Sequence, residues 1–328
     1  MSNNFKTINS SDLKMLSNEF VELKRATGLK YFSEEKVSKY FTRYCEENYP
    51  NENLPEDIIN RWLISNPNQS LKTKNNKNCA LKVFAQYLFS LGYEPLRIPL
   101  VRYTRSTAFI PHIFTVSEME AIWKTVDNIK PTRICPNLYR TLPVLFRLLY
   151  ASGLRIGEAL NLNGEDFDFS NNLIIIKESK SQLERLIPMS ESLSNVLKKY
   201  AEESFPKIGA KEPFFYYRNG TRLDPSTVYS RFRIALKGSK IPYQGPTRGP
   251  RLHDLRHTFS VNAMNKLVDD GKDLYVILPV LSAYLGHINI KSTESYIRLT
   301  VDRLSTITDK VSEIIPNIFP EVEPNAEI

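Results

Sequence analysis

The stretch RLHDLRHTFS, residues 251–260, places two of the chain's four histidines beside two arginines. His253 and His257 are four residues apart, whereas His253 and Arg256 are three apart. On a helix, both spacings bring side chains onto one face. The first pair suits a metal ion, and the second suits an anion such as a phosphate. Local spacing leaves both interpretations open, so the rest of the chain has to decide.

The metal interpretation rests on the acid that follows the first histidine, as in the HExxH zinc pattern. Here that acid is Asp254, which is one methylene shorter than the usual glutamate, and a third ligand would have to come from His112 or His287. Arg256 lies between the two histidines and Arg251 just before them, and a permanent cation beside a dication is costly. The sequence therefore favours an anion, with a zinc hydrolase that uses His253 and His257 as the less favoured alternative.

Length and charge set the broad class of protein. The 328 residues are enough for two domains with separate cores. The chain has 44 basic and 36 acidic residues, a net charge of +8 and an isoelectric point near 9.2. This excess favours a polyanionic partner such as DNA.

Cysteines and apolar runs indicate the compartment. The three cysteines, Cys45, Cys79 and Cys135, form no CxxC pair, which predicts neither a disulfide framework nor a cysteine zinc site. The opening MSNNFKTINSSDLK lacks the apolar core of a signal peptide. The most apolar run, LYVILPVLSAYL at residues 274–285, is shorter than the ~20 residues of a membrane helix. We therefore expect a soluble, cytoplasmic protein.

Residues 1–100 have the apolar spacing of a small all-helical domain. Four groups of apolar residues recur at helical intervals, and Gly92 is suited to end the fourth helix. Glu34 and Glu35 suit the first turn of the second helix. The predicted core residues are Leu13, Leu16, Phe20, Leu23, Val37, Tyr40, Phe41, Tyr44, Ile58, Ile59, Trp62, Leu63, Ala80, Val83, Phe84, Tyr87, Leu88 and Leu91.

The end of this domain is basic. Between residues 70 and 105 there are seven lysines and arginines against the single acid Glu94. The segment PLRIPLVRYTRSTAFIPHIF, residues 95–114, contains prolines and no helical period, so a linker is predicted over 101–114. A solvated helix face with a basic linker explains the charge as well as DNA binding does. The candidate DNA-binding residues are Lys72, Lys74, Lys77, Lys82, Arg102 and Arg105.

Residues 115–310 predict a second, mainly helical domain with one small sheet, an α+β arrangement. TVSEMEAIWKTV at 115–126 has a capped helix start, and LPVLFRLLYASGLRIGEALNL at 142–162 reads as a buried helix broken at Gly153. NLIIIKESKSQLERLIPMS at 172–190 predicts a hairpin with a charged turn. Further helices are expected near 190–204, 225–237, 252–268 and 289–308, followed by a tail at 311–328.

Several potential phosphate ligands follow one another along this domain. Arg155 lies just after the broken helix, Lys180 in the hairpin turn and His287 in the tripeptide LGH. Tyr296 comes nine residues after His287, in STESYIRLT. Together with HDLRH, this order and spacing resemble the tyrosine recombinase (phage integrase) family over residues 115–310. LSAYLGHINIKSTESYIRLT, residues 281–300, is further similar to transposon-borne integrases.

The resemblance implies an N-terminal core-binding domain, a catalytic domain and a DNA phosphodiester substrate. Arg155 and Arg256 would hold the phosphate through forked, permanently charged donors. Tyr296 would be the nucleophile that forms a covalent 3′-phosphotyrosyl intermediate and frees a 5′ hydroxyl. The ester retains the bond energy, so strand rejoining needs no ATP. Because the two arginines would stabilise the phosphate, no metal cofactor is expected.

The same resemblance assigns the remaining roles. Lys180 would protonate the leaving 5′ oxygen, because its eight-residue distance from Pro188 matches the family's spacing, although Lys177 and Arg185 lie in the same hairpin. The histidines of the set, His253 and His287, would hydrogen-bond the phosphate and handle protons. Glu158 would have a supporting role, in which it orients Arg155. His257 would pack beside the site and brace it.

Two further expectations concern partners. Strand exchange by this family implies four protomers on two specific double-stranded DNA sites, alone or with sister recombinases. A DNA-binding accessory protein of the same fold that does not cut DNA is the alternative. The tail at 311–328 carries four acids and no base beside several apolar residues, so it is expected to dock on protein, either on a neighbouring protomer or on its own domain.

Overall fold

A computed structural model describes residues 5–101, 110–131, 133, 136–177, 184–204, 207–217, 219–245 and 249–287. The backbone alone is described at residues 274 and 275. The described residues fall into two compact units that divide between residues 108 and 109.

Within its described residues, 5–101, the first unit contains four helices, as the sequence predicts. Side chains cap two of them: Asn9 accepts from the backbone N–H of Ser11, and Ser70 accepts from that of Thr73. Gly92, at a φ of 86°, follows the last helix in the left-handed region that favours glycine. The helices are α1 (Ser10–Ala26), α2 (Phe32–Asn48), α3 (Ile58–Ile64) and α4 (Leu71–Ser90).

For four residues of this unit, the prediction that they lie in the core is wrong. Leu23, Tyr40, Val83 and Leu91 are between 38% and 53% exposed. At 3.6 residues per turn, Leu23 lies roughly 100° around α1 from the middle of its buried face. Leu23 lies seven residues after the buried Leu16, and a step of seven turns about 20° away from an exact repeat, which carries Leu23 past the edge of the buried face.

The second unit combines seven helices with a small antiparallel sheet in its described part. In the sheet, Ile176 pairs with Arg185 next to the hairpin turn, and Phe167 pairs with Ile174 at the other edge. The elements are α5 (Val116–Asp127), α6 (Leu138–Ser152), α7 (Ile156–Asn161), β1 (Phe167–Asp168), β2 (Leu173–Ile176), β3 (Arg185–Pro188), α8 (Glu191–Glu203), α9 (Pro225–Gly238), α10 (Asp254–Asp269) and α11 (Leu274–Leu285).

The local signals of this unit are confirmed at three points. Thr115 and Glu118 form a capping box at the start of α5. Helix α6 ends at Gly153, with a φ of 63°, and the short α7 follows. The predicted hairpin is present as β2 and β3, whereas the two-residue strand β1 was not predicted because two residues carry no readable alternation.

Helix α11 is a further element that the sequence interpretation missed. Its sequence is apolar almost all round and contains Pro279, so it lacks the one-sided pattern of a surface helix. Ile277, Leu278, Leu281 and Leu285 are buried in it. Among the described residues, no helix combines the length and apolarity needed to cross a membrane. The helix predicted near 289–308 and the tail lie outside the described residues.

Candidate active site

The site begins at the break between α6 and α7. Gly153 turns the chain, and Arg155 becomes the residue that precedes α7. Glu158, in the first turn of α7, accepts from the backbone N–H of Arg155 at 2.9 Å and from its Nη1 at 2.7 Å. The glutamate therefore satisfies a helix-start N–H and orients the arginine side chain at once.

Glu158 is also the centre of what we call the arginine cluster, formed by Arg155, Arg185 and Arg256. The Glu158 side chain is only 4% exposed, and Arg185 Nη2 lies 2.8 Å from its Oε2. Arg256 Nη1 lies 4.0 Å from the same oxygen. Burial raises the pKa of Glu158, but hydrogen bonds from Arg185 and Arg155 outweigh burial and hold that pKa below its usual value.

Arg256 is the largest fully buried side chain among the described residues, and it lies in α10. Its Nη1 donates to the Gly153 carbonyl at 2.7 Å, and its Nη2 donates to the Leu285 carbonyl at 2.7 Å. Nη2 also lies 3.0 Å from His287 Nε2. These contacts fix the plane of the guanidinium between the end of α6 and the end of α11.

The carbonyl end of α11 is where the arginine cluster converges. The Tyr284 carbonyl accepts from Arg185 Nε at 2.9 Å, and the Gly286 carbonyl accepts from Arg155 Nη2 at 3.0 Å. The last carbonyls of a helix lack partners within the helix and carry partial negative charge. Guanidinium groups therefore complete this helix end, and the chain continues directly to His287.

Burial and positive charge control the two histidines of the predicted catalytic set. His253 precedes α10 and keeps an exposed edge, yet burial of its ring and then Arg256 and Arg251 lower its pKa to about 4. Burial, followed by Arg256 and Arg155, lowers the pKa of His287 to about 4. Both rings are neutral near pH 7, so each has one donor and one acceptor nitrogen, and in His287 the acceptor is Nε2, which takes the hydrogen bond from Arg256 Nη2.

The histidine pair of HDLRH is arranged edge to face. The ring centroids of His253 and His257 are 4.8 Å apart, and His257 Nε2 lies 4.0 Å from Asp254 Oδ1. Asp254 is fully buried and accepts from the backbone N–H of Arg251 at 2.8 Å. Within the described ranges, no three histidine, cysteine or acidic side chains gather as a metal site needs. His112, one proposed third ligand, instead contacts both carboxylate oxygens of Glu118 at 3.1 Å.

The two alternatives to Lys180 in the hairpin have other partners. Lys177 lies 2.7 Å from Glu165 and 2.8 Å from Asp166, and these contacts raise its pKa. Arg185 belongs to the arginine cluster, a role that sequence reasoning missed. The only signal for it was a charged residue at the first position of a predicted strand. Lys180 and Tyr296 themselves lie outside the described residues.

The candidate DNA-binding lysines of α4 differ in their surroundings. Lys72 and Lys82 are exposed, and Lys74 is partly buried. Lys77 Nζ lies 4.3 Å from the centroid of the Trp62 ring, and burial lowers its pKa. Part of the charge that the sequence offered to DNA is therefore engaged in a cation–π contact within the helical unit. Arg102 and Arg105 lie outside the described residues.

The fold and the relatives of this chain define its class. The described architecture is similar to that of the Tn1549 transposon integrase in complex with transposon right-end DNA, with a TM-score of 0.60 at 20% identity over 88% of this chain and 99% of that one. It is also similar to the XerH site-specific recombinase bound to difH, with a TM-score of 0.58 at 20% identity over 91% of this chain and 84% of that one. At this identity the likeness shows a shared fold.

The sequence comparisons give the family. The phage integrase family model matches residues 113–303. The tyrosine recombinase XerC of Thermodesulfovibrio yellowstonii is 30% identical over 78% of this chain and 81% of its own length. The integrase/recombinase y4rE of Sinorhizobium fredii is 26% identical over 89% of this chain and 93% of its own length. The chain therefore belongs to the phage integrase family and is an enzyme of the tyrosine recombinase type.

Proposed function

We propose that this protein cuts and rejoins DNA at specific sites through a covalent 3′-phosphotyrosyl intermediate. The observation that carries the proposal is the convergence of Arg155, Arg256 and His287 at the carbonyl end of α11, with His253 at the start of α10, near enough for the charges of Arg256 and Arg155 to act on it. Permanently charged donors and neutral imidazoles at one place suit a phosphodiester whose charge grows during displacement.

The two arginines stabilise that charge in different ways. The Arg155 side chain is 25% exposed, so a phosphate oxygen can reach its guanidinium. Arg256 is 1% exposed, and its carbonyl contacts hold its charge in a fixed place. A preorganised cation needs no rearrangement as charge develops, so it lowers the barrier more than a mobile one.

The bonds formed and broken follow from the nucleophile. The Tyr296 oxygen attacks phosphorus, the bond between phosphorus and the 5′ oxygen breaks, and the 3′ phosphate is left esterified to the tyrosine. His253, neutral near pH 7, accepts the phenol proton, and Lys180 donates a proton to the leaving 5′ oxygen. His287, whose Nε2 already accepts from Arg256 Nη2, donates a hydrogen bond to the phosphate from its other ring nitrogen. Attack by a second 5′ hydroxyl reverses these steps, so no ATP is consumed.

The choice of Lys180 is supported by its neighbours' contacts. Lys177 is held by Glu165 and Asp166, and Arg185 is held by Glu158. Both side chains would have to leave these ion pairs to serve as the general acid. Lys180 is the remaining base of the hairpin with the family's spacing to Pro188.

The assembly is proposed from the family's mode of action. Residues 1–100 would form the core-binding domain, 101–114 the linker, 115–310 the catalytic domain and 311–328 a tail that docks on a neighbouring protomer. Four protomers, alone or with sister recombinases, would bring two DNA sites together. The integrases among the relatives favour an integrase of a mobile element that acts in transposition. A DNA substrate and three cysteines without a CxxC pair favour the cytoplasm.

Covalent capture tests the proposal. The protein would be incubated with a duplex copy of its element's end that carries a nick close to the cleavage site. Cleavage then releases a short fragment with a free 5′ hydroxyl, which diffuses away and cannot rejoin. We expect a protein–DNA adduct that resists denaturation and is absent in Tyr296→Phe, because that variant lacks the nucleophilic oxygen. DNA binding by Tyr296→Phe should remain close to wild type. An adduct formed by Tyr296→Phe would remove this tyrosine from the reaction.

The alternatives have their own outcomes in the same assay. Excess EDTA should leave adduct formation and religation unchanged, whereas a loss that zinc restores would favour the zinc hydrolase. DNA binding without any adduct in the wild-type protein would favour the accessory protein that does not cut DNA.

A further inference from the structure

Arg185 joins three elements that carry proposed site residues. It is the first residue of β3 and pairs with Ile176 next to the hairpin turn. Its side chain is 10% exposed and contacts Glu158 of α7 and the Tyr284 carbonyl of α11. The proposed mechanism gives Arg185 no role, although its guanidinium is as firmly held as those of Arg155 and Arg256.

The contacts of Arg185 use both edges of its guanidinium. Nη2 donates to Glu158 Oε2 at 2.8 Å, and Nη1 donates to Glu158 Oε1 at 3.3 Å. Nε donates to the Tyr284 carbonyl at 2.9 Å. A planar fork matches a carboxylate in this two-point way, whereas an ammonium does not.

The backbone after α11 lies closely against this guanidinium. A Cβ placed on Gly286 would be 2.8 Å from Arg185 Nη1, and Gly286 has a φ of 65°. The absence of a side chain at position 286 thus leaves the room that Arg185 occupies. Two separate observations, the hydrogen bonds and the close approach, therefore indicate a site built for an arginine.

Glu158 transmits the position of Arg185 to Arg155. Its Oε1 is shared between Arg185 Nη1 and Arg155 Nη1, the latter at 2.7 Å. We infer that Arg185 is a positioning residue, which fixes the carboxylate of Glu158 and through it aims Arg155 at the scissile phosphate. This inference rests on the proposed function, in which Arg155 stabilises charge on a non-bridging phosphate oxygen.

A purely structural role for Arg185 predicts a different substrate dependence. Loss of folded protein lowers the rate on every substrate by the same factor. Misplacement of Arg155 lowers the rate most on a substrate whose non-bridging phosphate oxygen is charged. A methylphosphonate linkage replaces that oxygen by a neutral methyl group, so it has less need of the arginine. A 5′-bridging phosphorothiolate makes leaving-group protonation dispensable and has no effect on the need for Arg155.

The experiment measures single-turnover adduct formation on three suicide substrates, which carry a phosphodiester, a methylphosphonate or a 5′-phosphorothiolate at the cleavage site. The variants are Arg185→Met, Arg185→Lys and Arg155→Met, and rates are expressed relative to wild type on each substrate. Arg147→Met is the matched control, because Arg147 forms a two-point ion pair with Asp127 within the same unit, at 2.7 and 2.8 Å. All variants are first compared by thermal unfolding.

We expect Arg185→Met to lower the phosphodiester rate by about 10- to 100-fold, the usual cost of misplacing a reacting group. The loss should be several-fold smaller on the methylphosphonate and undiminished on the phosphorothiolate, as for Arg155→Met. Arg185→Lys should give an intermediate loss with the same substrate pattern, and it serves as the test if Arg185→Met does not fold. Arg147→Met should be close to wild type on all three substrates.

Equal losses by Arg185→Met and Arg185→Lys on all substrates, or rescue by the phosphorothiolate, would overturn the inference. If Arg155→Met shows the expected pattern and the Arg185 variants do not, only the positioning role fails. If Arg155→Met lowers the rate of adduct formation by the same factor on all three substrates, the proposed role of Arg155 fails. Absence of any adduct from the wild-type protein would refute the proposed function.

Discussion

His257 shows how the surroundings of one residue set its protonation. Its side chain is 16% exposed and lies between His253 and the buried Asp254. Burial, followed by His253, Arg251 and Arg256, lowers its pKa from 6.5 to about 3. The imidazole is therefore neutral in the folded protein throughout the physiological range, which leaves His257 as a bracing group beside His253.

This shift predicts how stability depends on pH. The unfolded chain binds a proton at this histidine below pH 6.5, whereas the folded protein does so only below about 3. As the pH falls from 6.5 towards 3, the unfolded chain gains a proton at this histidine that the folded protein does not bind. The free energy of unfolding is therefore highest above pH 6.5 with respect to this group and decreases as the pH falls towards 3. One such group steepens the dependence by up to about 1.4 kcal/mol per pH unit in this window. His257→Gln should make the plot of unfolding free energy against pH shallower between pH 6.5 and 4, as measured by urea unfolding. An unchanged slope would contradict the shift.

At the level of elements, the turn between α6 and α7 depends on Gly153. Its φ of 63° lies in the left-handed region, and a Cβ there would be 2.4 Å from Phe259 Cδ1. The Gly153 carbonyl also accepts from Arg256 Nη1. A side chain at this position would therefore disturb both the junction of α6 with α10 and the placement of Arg256.

Gly153→Ala should destabilise the protein by more than its backbone cost alone. The matched control is Gly220→Ala, because Gly220 has a φ of 79° and no atom within 4 Å of an added Cβ. Both variants incur about 1–2 kcal/mol for the left-handed backbone, and Gly153→Ala incurs a further ~1–3 kcal/mol from overpacking. Denaturant unfolding measures the difference. Adding Phe259→Leu should recover part of the loss, and equal destabilisation by the two glycine variants would refute the clash.

At the scale of the whole molecule, the proposed binding of DNA by the first unit would depend on which of its cations are accessible. The exposed Lys72 and the partly buried Lys74 lie in the first turn of α4. Lys77, one turn later, lies over the Trp62 ring. Counterion release makes DNA affinity fall linearly with the logarithm of salt concentration, with a slope set by the number of phosphates that are contacted.

Lys72→Gln combined with Lys74→Gln should therefore weaken binding to every DNA sequence. The salt slope should become shallower by about 0.9 for each phosphate that the protein no longer neutralises, as measured by fluorescence anisotropy across a salt series. Lys14→Gln is the control, since it removes the charge of an exposed lysine on α1. If Lys14→Gln changes the slope as much as the pair does, net charge alone accounts for the binding.

Lys77→Gln should have a different effect, which separates stability from DNA binding. Removal of the ammonium from the Trp62 ring should destabilise the first unit by about 0.5–1 kcal/mol, the usual strength of a partly exposed cation–π pair. Thermal unfolding followed by tryptophan fluorescence measures this change. If Lys77→Gln instead keeps wild-type stability and makes the salt slope of DNA binding shallower, Lys77 binds a phosphate.

Most helices, the hairpin and the order of the site residues were readable from sequence because their signals are local. The capping box of Thr115 and Glu118, the helix break at Gly153 and the apolar β-branched run of β2 each lie within a few residues. The composition of HDLRH also favoured an anion over a metal through the charges of adjacent arginines. Such signals depend on neighbours along the chain, which the sequence displays directly.

The tertiary structure decided the features that depend on distant partners. Arg155 reaches the Gly286 carbonyl across 131 residues, and Arg185 reaches the Tyr284 carbonyl across 99. No spacing rule links a strand residue to a helix end so far along the chain, so the place of Arg185 in the arginine cluster became visible only in the folded protein. Helix α11 was hidden for a related reason, since an apolar run acquires buried and exposed faces only when its neighbours cover one of them.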